Sequence, residues 1–180
     1  MPLGELAGDT DPVTSVVFSS DGHTRASSTD GGTIRLWSLT DSGKPTPLGQ
    51  PLTGQAGADL LAFSPDGQIL AGAQGNTVRL WRVTDTGKPR LLGQPHASQT
   101  SAVNSVAFSP DGHTLASSNF DDTIQLWNVS NPDEPTPLGQ PLAGHAGPVT
   151  SLAFSPDGHT LASSSRDNTI RLWKASADRC

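Results

Sequence analysis

The stretch VTSLAFSPDGHTLASSSRDNTIRLW, residues 149–173, decides the fold. Val149, Ser151 and Ala153 alternate with Thr150, Leu152 and Phe154, the period-2 pattern of a strand with one buried face. Ser155-Pro156-Asp157-Gly158 then reads as a tight turn. Proline presets φ at the second turn position, aspartate suits the third, and glycine tolerates the positive φ that follows. His159 to Ser164 reads as a second strand, Arg166-Asp167-Asn168 as a turn, and Thr169 to Trp173 as a third strand rich in β-branched and aromatic residues.

Working outward, the same phrase recurs. Tryptophans fall at Trp37, Trp81, Trp127 and Trp173, in steps of 44, 46 and 46 residues, each closing T-I/V-R/Q-L-W. Phe18, Phe63, Phe108 and Phe154 keep the same beat, each opening F-S-S/P-D-G. Self-similarity at such a period marks one supersecondary unit copied along the chain, and a unit that cannot bury its apolar faces alone must stack on its neighbours. Between copies run segments such as NPDEPTPLGQPLAG (131–144), a loop and a short strand. Pro137 and Pro141 have no N–H to give a ladder, so this fourth strand belongs at a sheet edge. No 3.6-residue apolar period survives the spacing of Pro and Gly. The expected fold is all-β, with four blades of four antiparallel strands.

Composition narrows the function classes. Of 180 residues only 33% are apolar, with 19 Gly and 15 Pro, yet the apolar residues cluster in the alternating segments, unlike those of a disordered chain. The one cysteine, Cys180, excludes an internal disulfide framework and a thiolate metal cluster. A net charge of −6 argues against nucleic acid as a partner. MPLGELAGDT lacks the basic and apolar regions of a secretory leader, and no apolar run approaches the roughly 18 residues that span a bilayer. A cytoplasmic protein with no membrane contact is expected.

With these repeats in hand, the chain resembles the WD-repeat β-propeller family, whose units run about 40–45 residues from a Gly-His to a Trp-Asp. The phrasing PLGQPLxGHxGPVxSxAFSPDGHTLASS is similar to the bacterial branch of that family, whose arrays are often fused to signalling kinases or ATPases. The resemblance implies a hydrogen-bond chain of His, Asp, a strand Ser and the Trp that locks each blade. Only the last copy carries the set: His145, Asp167, Trp173 and Ser163 or Ser165. The His position elsewhere holds Asp9, Gln55 and Gln99, and the Asp position holds Gly31, Gly75 and Asp121, with Asp30 one residue early in the first copy. After each Trp stand Ser38, Arg82, Asn128 and Lys174, so no Trp-Asp dipeptide occurs. Copy two is one residue short between Leu70 and Thr77, and it is expected to be the loosest blade.

Blade boundaries follow from the phase of the repeat: about 7–52, 53–97, 98–142 and 143–176. The N-terminal stretch 1–6, similar to PLGQPL, is expected to complete the fourth blade. Four blades are few for a ring, and an open row leaves two apolar faces bare. The alternatives are a head-to-tail homodimer forming an eight-bladed ring, a piece of a longer propeller, or closure by four.

Candidate functional residues are those that break the repeat. Phe120 stands off the aromatic beat beside Asp121, at a turn position where the other copies are read as holding Asp30, Gln74 and Arg166. The resemblance places this turn on the face most used for partners, and aromatic and Arg side chains are typical anchors there. The bland alternative for each is a turn residue without consequence. His23, His113 and His159 follow three D-G turns on separate blades, too far apart to share a metal whose bonds are near 2 Å. His96 is read as a surface substitution in a fourth strand. Thr29-Asp-Gly-Gly-Thr33 lacks the Gly-Lys-Ser/Thr of a phosphate loop, and no G-x-S-x-G elbow occurs. The expectation is a non-catalytic protein–protein interaction scaffold, binding proteins or peptides and needing no cofactor. The alternatives are a regulatory or sensor region of a larger bacterial signalling protein (kinase or ATPase), or a small-ligand binder or hydrolase using the central channel.

Overall fold

The computed structural model describes residues 11–39, 45–52, 58–83, 89–96 and 101–175. Over these residues the chain forms only β-structure, in four antiparallel sheets. Sheet one holds β1 (Val13–Phe18), β2 (Thr24–Thr29), β3 (Ile34–Ser38) and β4 (Thr46–Pro47). Sheet two holds β5 (Ala58–Phe63), β6 (Ile69–Gln74), β7 (Thr77–Arg82) and β8 (Arg90–His96). Sheet three holds β9 (Val103–Phe108), β10 (Thr114–Asn119), β11 (Ile124–Asn128) and β12 (Thr136–Pro137). Sheet four holds β13 (Val149–Phe154), β14 (Thr160–Ser165) and β15 (Ile170–Lys174). The N-terminal stretch 1–6, expected as its fourth strand, lies outside the described residues.

Register repeats from sheet to sheet. Leu161 stands between Phe154 and Trp173, as Leu115 does between Phe108 and Trp127, and Leu70 between Phe63 and Trp81. In sheet one the equivalent residue is Arg25, between Phe18 and Trp37. Strict alternation fails at the start of β1, β5, β9 and β13, where one extra residue bulges from the ladder. The bulge reverses the facing of everything before it. Val149 therefore joins Leu152 on the buried side, at 0% and 8% exposure, while Thr150 and Ser151 face out.

Each S-P-D-G turn, and S-S-D-G in the first copy, closes as its chemistry demands. The N–H of Gly158 donates to the Ser155 carbonyl at 2.8 Å, with Gly158 at φ +73°. The Asp157 carboxylate accepts from the Ser155 hydroxyl and the His159 N–H. The outer strands follow their prolines. Pro47 and Pro137 pair with Trp37 and Trp127 in two-residue strands, each followed by one isolated bridge at Leu52 or Leu142. In sheet two the equivalent residue is Leu91, and β8 runs seven residues. A restored N–H donor is the reason a longer ladder forms there.

Three apolar layers join the sheets in sequence. Ala26, Ile34 and Leu36 of sheet one meet Leu61, Leu70 and Trp81 of sheet two. Val78, Leu80 and Leu92 meet Val103, Leu115 and Trp127. Ile124 and Leu126 meet Val149, Leu152 and Leu161. Each sheet thus has a leading face, carrying the Phe, the Leu and the Trp, and a trailing face, carrying the Ile/Val and Leu of its third strand. At the ends the layers stop. Val13, Val16 and Phe18 on the leading face of sheet one are 51%, 51% and 56% exposed, and Ile170 and Leu172 on the trailing face of sheet four are 75% and 71% exposed.

Candidate functional site

In the last sheet, loop, strand and turn are tied by one chain of hydrogen bonds. His145 precedes β13, Ser163 lies in β14, Asp167 in the β14–β15 turn and Trp173 in β15. The Trp173 indole N–H donates to Ser163 Oγ at 2.8 Å, and Ser163 Oγ lies 2.7 Å from His145 Nε2. Nδ1 of the same ring lies 2.8 Å from Asp167 Oδ2. Because a carboxylate only accepts and an indole N–H only donates, Trp173 donates to Ser163 and His145 Nδ1 donates to Asp167; in the neutral imidazole tautomer this fixes, Nε2 accepts from the Ser163 hydroxyl. Asp167 also accepts from the Thr169 hydroxyl at 2.7 Å and from the Ala146 N–H at 3.0 Å. The Thr169 hydroxyl, then the Ala146 N–H, hold its carboxyl far below the usual carboxylate range. Ser165, the other serine considered at this position, instead donates to the Gly147 carbonyl at 2.7 Å and accepts the Asp167 N–H.

The other sheets carry fragments of this arrangement. Trp127 N–H reaches Ser117 Oγ at 3.0 Å, while the equivalent contact of Trp37 with Ser27 is 3.5 Å. In sheet two Gly72 occupies the serine position, opposite Arg79. The Trp81 ring lies so close over it that a Cβ on residue 72 would sit 2.8 Å from the indole. That glycine was not singled out from the sequence, although alignment with Ser27, Ser117 and Ser163 reveals it. In sheet one the Asp11 carboxylate lies against Gly31 and fills the space an aspartate there would take, so Asp11, not Asp30, occupies that place. Asp9, Gln55 and Gln99 lie outside the described residues.

The turns between second and third strands form a set. The N–H groups of Asp30, Phe120 and Arg166 each donate, at 3.0 Å, to the carbonyl of Pro12, Ala102 and Pro148, the residue just before each first strand. This ties the three residues to one rim. Gln74 does not belong with them. It ends β6, paired with Thr77 and Ala58, and Gly75 takes the turn place. The one-residue deletion is absorbed by a tighter hairpin, Gly75-Asn76, with Gly75 at φ +55°. Gln74 instead lines a cleft between sheets one and two with Arg79, Trp81 and Leu52. Phe120 is 43% exposed, and the Arg166 guanidinium of the next blade lies 6.0 Å from its ring centroid. The sequence marked both residues separately; their meeting across a blade boundary is a tertiary fact.

His23, His113 and His159 stand on exposed hairpins of three different sheets, their backbone N–H groups donating to Asp21, Asp111 and Asp157. His96 pairs across the ladder with Val78. No helix among the described residues is long and apolar enough to cross a membrane.

Four like sheets, each lending its trailing face to the leading face of the next, with a loop–strand–turn hydrogen-bond chain in the last, define an array of β-propeller blades. The sequence matches the WD domain, G-beta repeat over residues 1–38, 56–82, 90–128 and 136–174. The chain belongs to that family. No curated protein matches it. Repeats of this kind generally mediate protein–protein interaction, and proteins built from them are typically non-catalytic scaffolds.

Proposed function

We propose that this chain is a non-catalytic scaffold that captures a protein or peptide on the rim formed by its second-to-third strand turns. The observation that carries the reading is the Phe120–Arg166 pair: a large apolar ring left 43% exposed, with a cation from the neighbouring blade beside it. An aromatic face and a guanidinium held together on turns tied to the strands suit a peptide that presents a carboxylate next to an apolar side chain. Asp30 lies on the same rim and tunes which charges are tolerated nearby. Gln74, in the cleft between sheets one and two, lies off this rim and takes no part in the capture. No cofactor enters this mechanism, and a cytoplasmic setting agrees with it. The net charge of −6 speaks for protein over nucleic-acid partners.

The test is selection of peptides from a displayed library on the intact chain, followed by affinity measurement with Phe120→Ala and Arg166→Ala. Each substitution is expected to weaken the selected peptides about tenfold or more, on the order of 1.4 kcal/mol. Melting temperature should stay within a degree or so, since both side chains are on turns. Unchanged affinity in both variants would refute the rim as the binding surface.

A further inference from the structure

We infer that the two bare end faces are made for each other, and that two copies of the 180-residue chain associate head to tail into a ring of eight blades. Among the described residues seven large apolar side chains are exposed, and five of them lie on these two faces: Val13, Val16 and Phe18 at one end, Ile170 and Leu172 at the other. The matching positions inside the row are covered, most of them fully, with Val106 and the phenylalanines Phe63, Phe108 and Phe154 partly buried. Leu61 and Leu152, equivalent to Val16, are 7% and 8% exposed, and Leu36, Leu80 and Leu126, equivalent to Leu172, are 4%, 2% and 3% exposed. One end is a leading face and the other a trailing face, the same two kinds that meet in all three internal layers. A second copy therefore presents to each end the surface that end is shaped to meet, in a contact that is heterologous yet closes.

Arg25 sets how tightly the ring closes. Its equivalents Leu70, Leu115 and Leu161 are 0%, 1% and 0% exposed at the centres of the internal layers, whereas Arg25 rests its guanidinium 5.6 Å from the Phe18 ring on the open face. Docking a trailing face here must strip water from that cation or turn it to the rim. The device makes closure reversible where three leucines make the internal layers permanent.

Sedimentation equilibrium of the 180-residue chain tests this. The expected result is a concentration-dependent dimer of twice 18.6 kDa. Val16→Asp and Leu172→Asp, both at exposed positions, should each give a folded monomer by circular dichroism. An equimolar mixture of these two variants should re-form a one-to-one complex, because one trailing–leading contact remains intact. Arg25→Leu should lower the dissociation constant at least tenfold. A wild-type monomer at all concentrations overturns the ring. So does a dimer broken by only one of the two aspartates, which would mean like ends meet, or a dimer weakened by Arg25→Leu. Peptide capture on the turn rim is measured on the monomeric variants, so the two proposals fail separately.

Discussion

Ser163→Ala removes the middle of the hydrogen-bond chain in the last blade and should cost far more than its size suggests. Ser163 is 1% exposed, receives the Trp173 N–H at 2.8 Å and faces His145 Nε2 at 2.7 Å. Alanine keeps the backbone and nearly the volume but leaves an indole donor and an imidazole acceptor without a partner. Each orphaned buried group costs about 1–3 kcal/mol. Trp173 is only half-buried, so water recovers part of that, and a total of about 2–4 kcal/mol is expected. For a chain of this size the melting point falls about 2–4 °C per kcal/mol, giving a drop of roughly 4–16 °C. Ser27→Ala is the control, for its contact with Trp37 is 3.5 Å long; it should cost about 0.5–1 kcal/mol. Urea unfolding followed by circular dichroism and tryptophan fluorescence compares the two. Within its own chain sheet four packs on a single neighbour, so amide exchange in β13–β15 should show the loss first. Equal losses for the two serines, within about 0.5 kcal/mol, would refute the view that the His–Ser–Trp–Asp chain fastens the last blade.

Stability should also fall on acidification. Asp21, Asp111 and Asp157 are held below the ordinary carboxylate range chiefly by the hydroxyls of Ser19, Ser109 and Ser155 and then by the following histidine N–H, and Asp167 chiefly by Thr169. Their folded pKa values lie beneath the unfolded value of about 3.9, so their contribution is whole above about pH 5 and disappears as pH drops below about 4. Urea midpoints between pH 2 and 7 should trace that loss, and Asp167→Asn should shallow it. Gly72→Ser restores the residue type of the other blades, yet its Cβ would meet the Trp81 ring at 2.8 Å. The structure predicts a loss of about 1–3 kcal/mol from overpacking; a rise in urea midpoint would show that the indole swings back to take the hydroxyl.

Much of the fold was legible because its signals are local. The Phe and Trp beat, the S-P-D-G turns and the proline-limited outer strands each act within a few residues. Two readings failed and one residue was missed, for reasons of context. The bulge that brings Val149 and Leu152 to one side leaves no mark in an alternating pattern. Gln74 was aligned with Phe120 by counting, but a deletion is absorbed where the hairpin bends most easily, at Gly75-Asn76. Arg25 went unremarked in the sequence, although it stands where three copies bury leucine.

By itself the sequence determined that like sheets repeat four times in a fixed register, because strand alternation and turn chemistry depend on near neighbours. Tertiary structure alone decided which faces are covered, that Phe120 meets Arg166 across a blade boundary, and that Arg25 lies on an open end. Burial and side-chain pairing between blades depend on residues about 45 positions apart, and no local pattern encodes whether a neighbouring sheet is there to meet them.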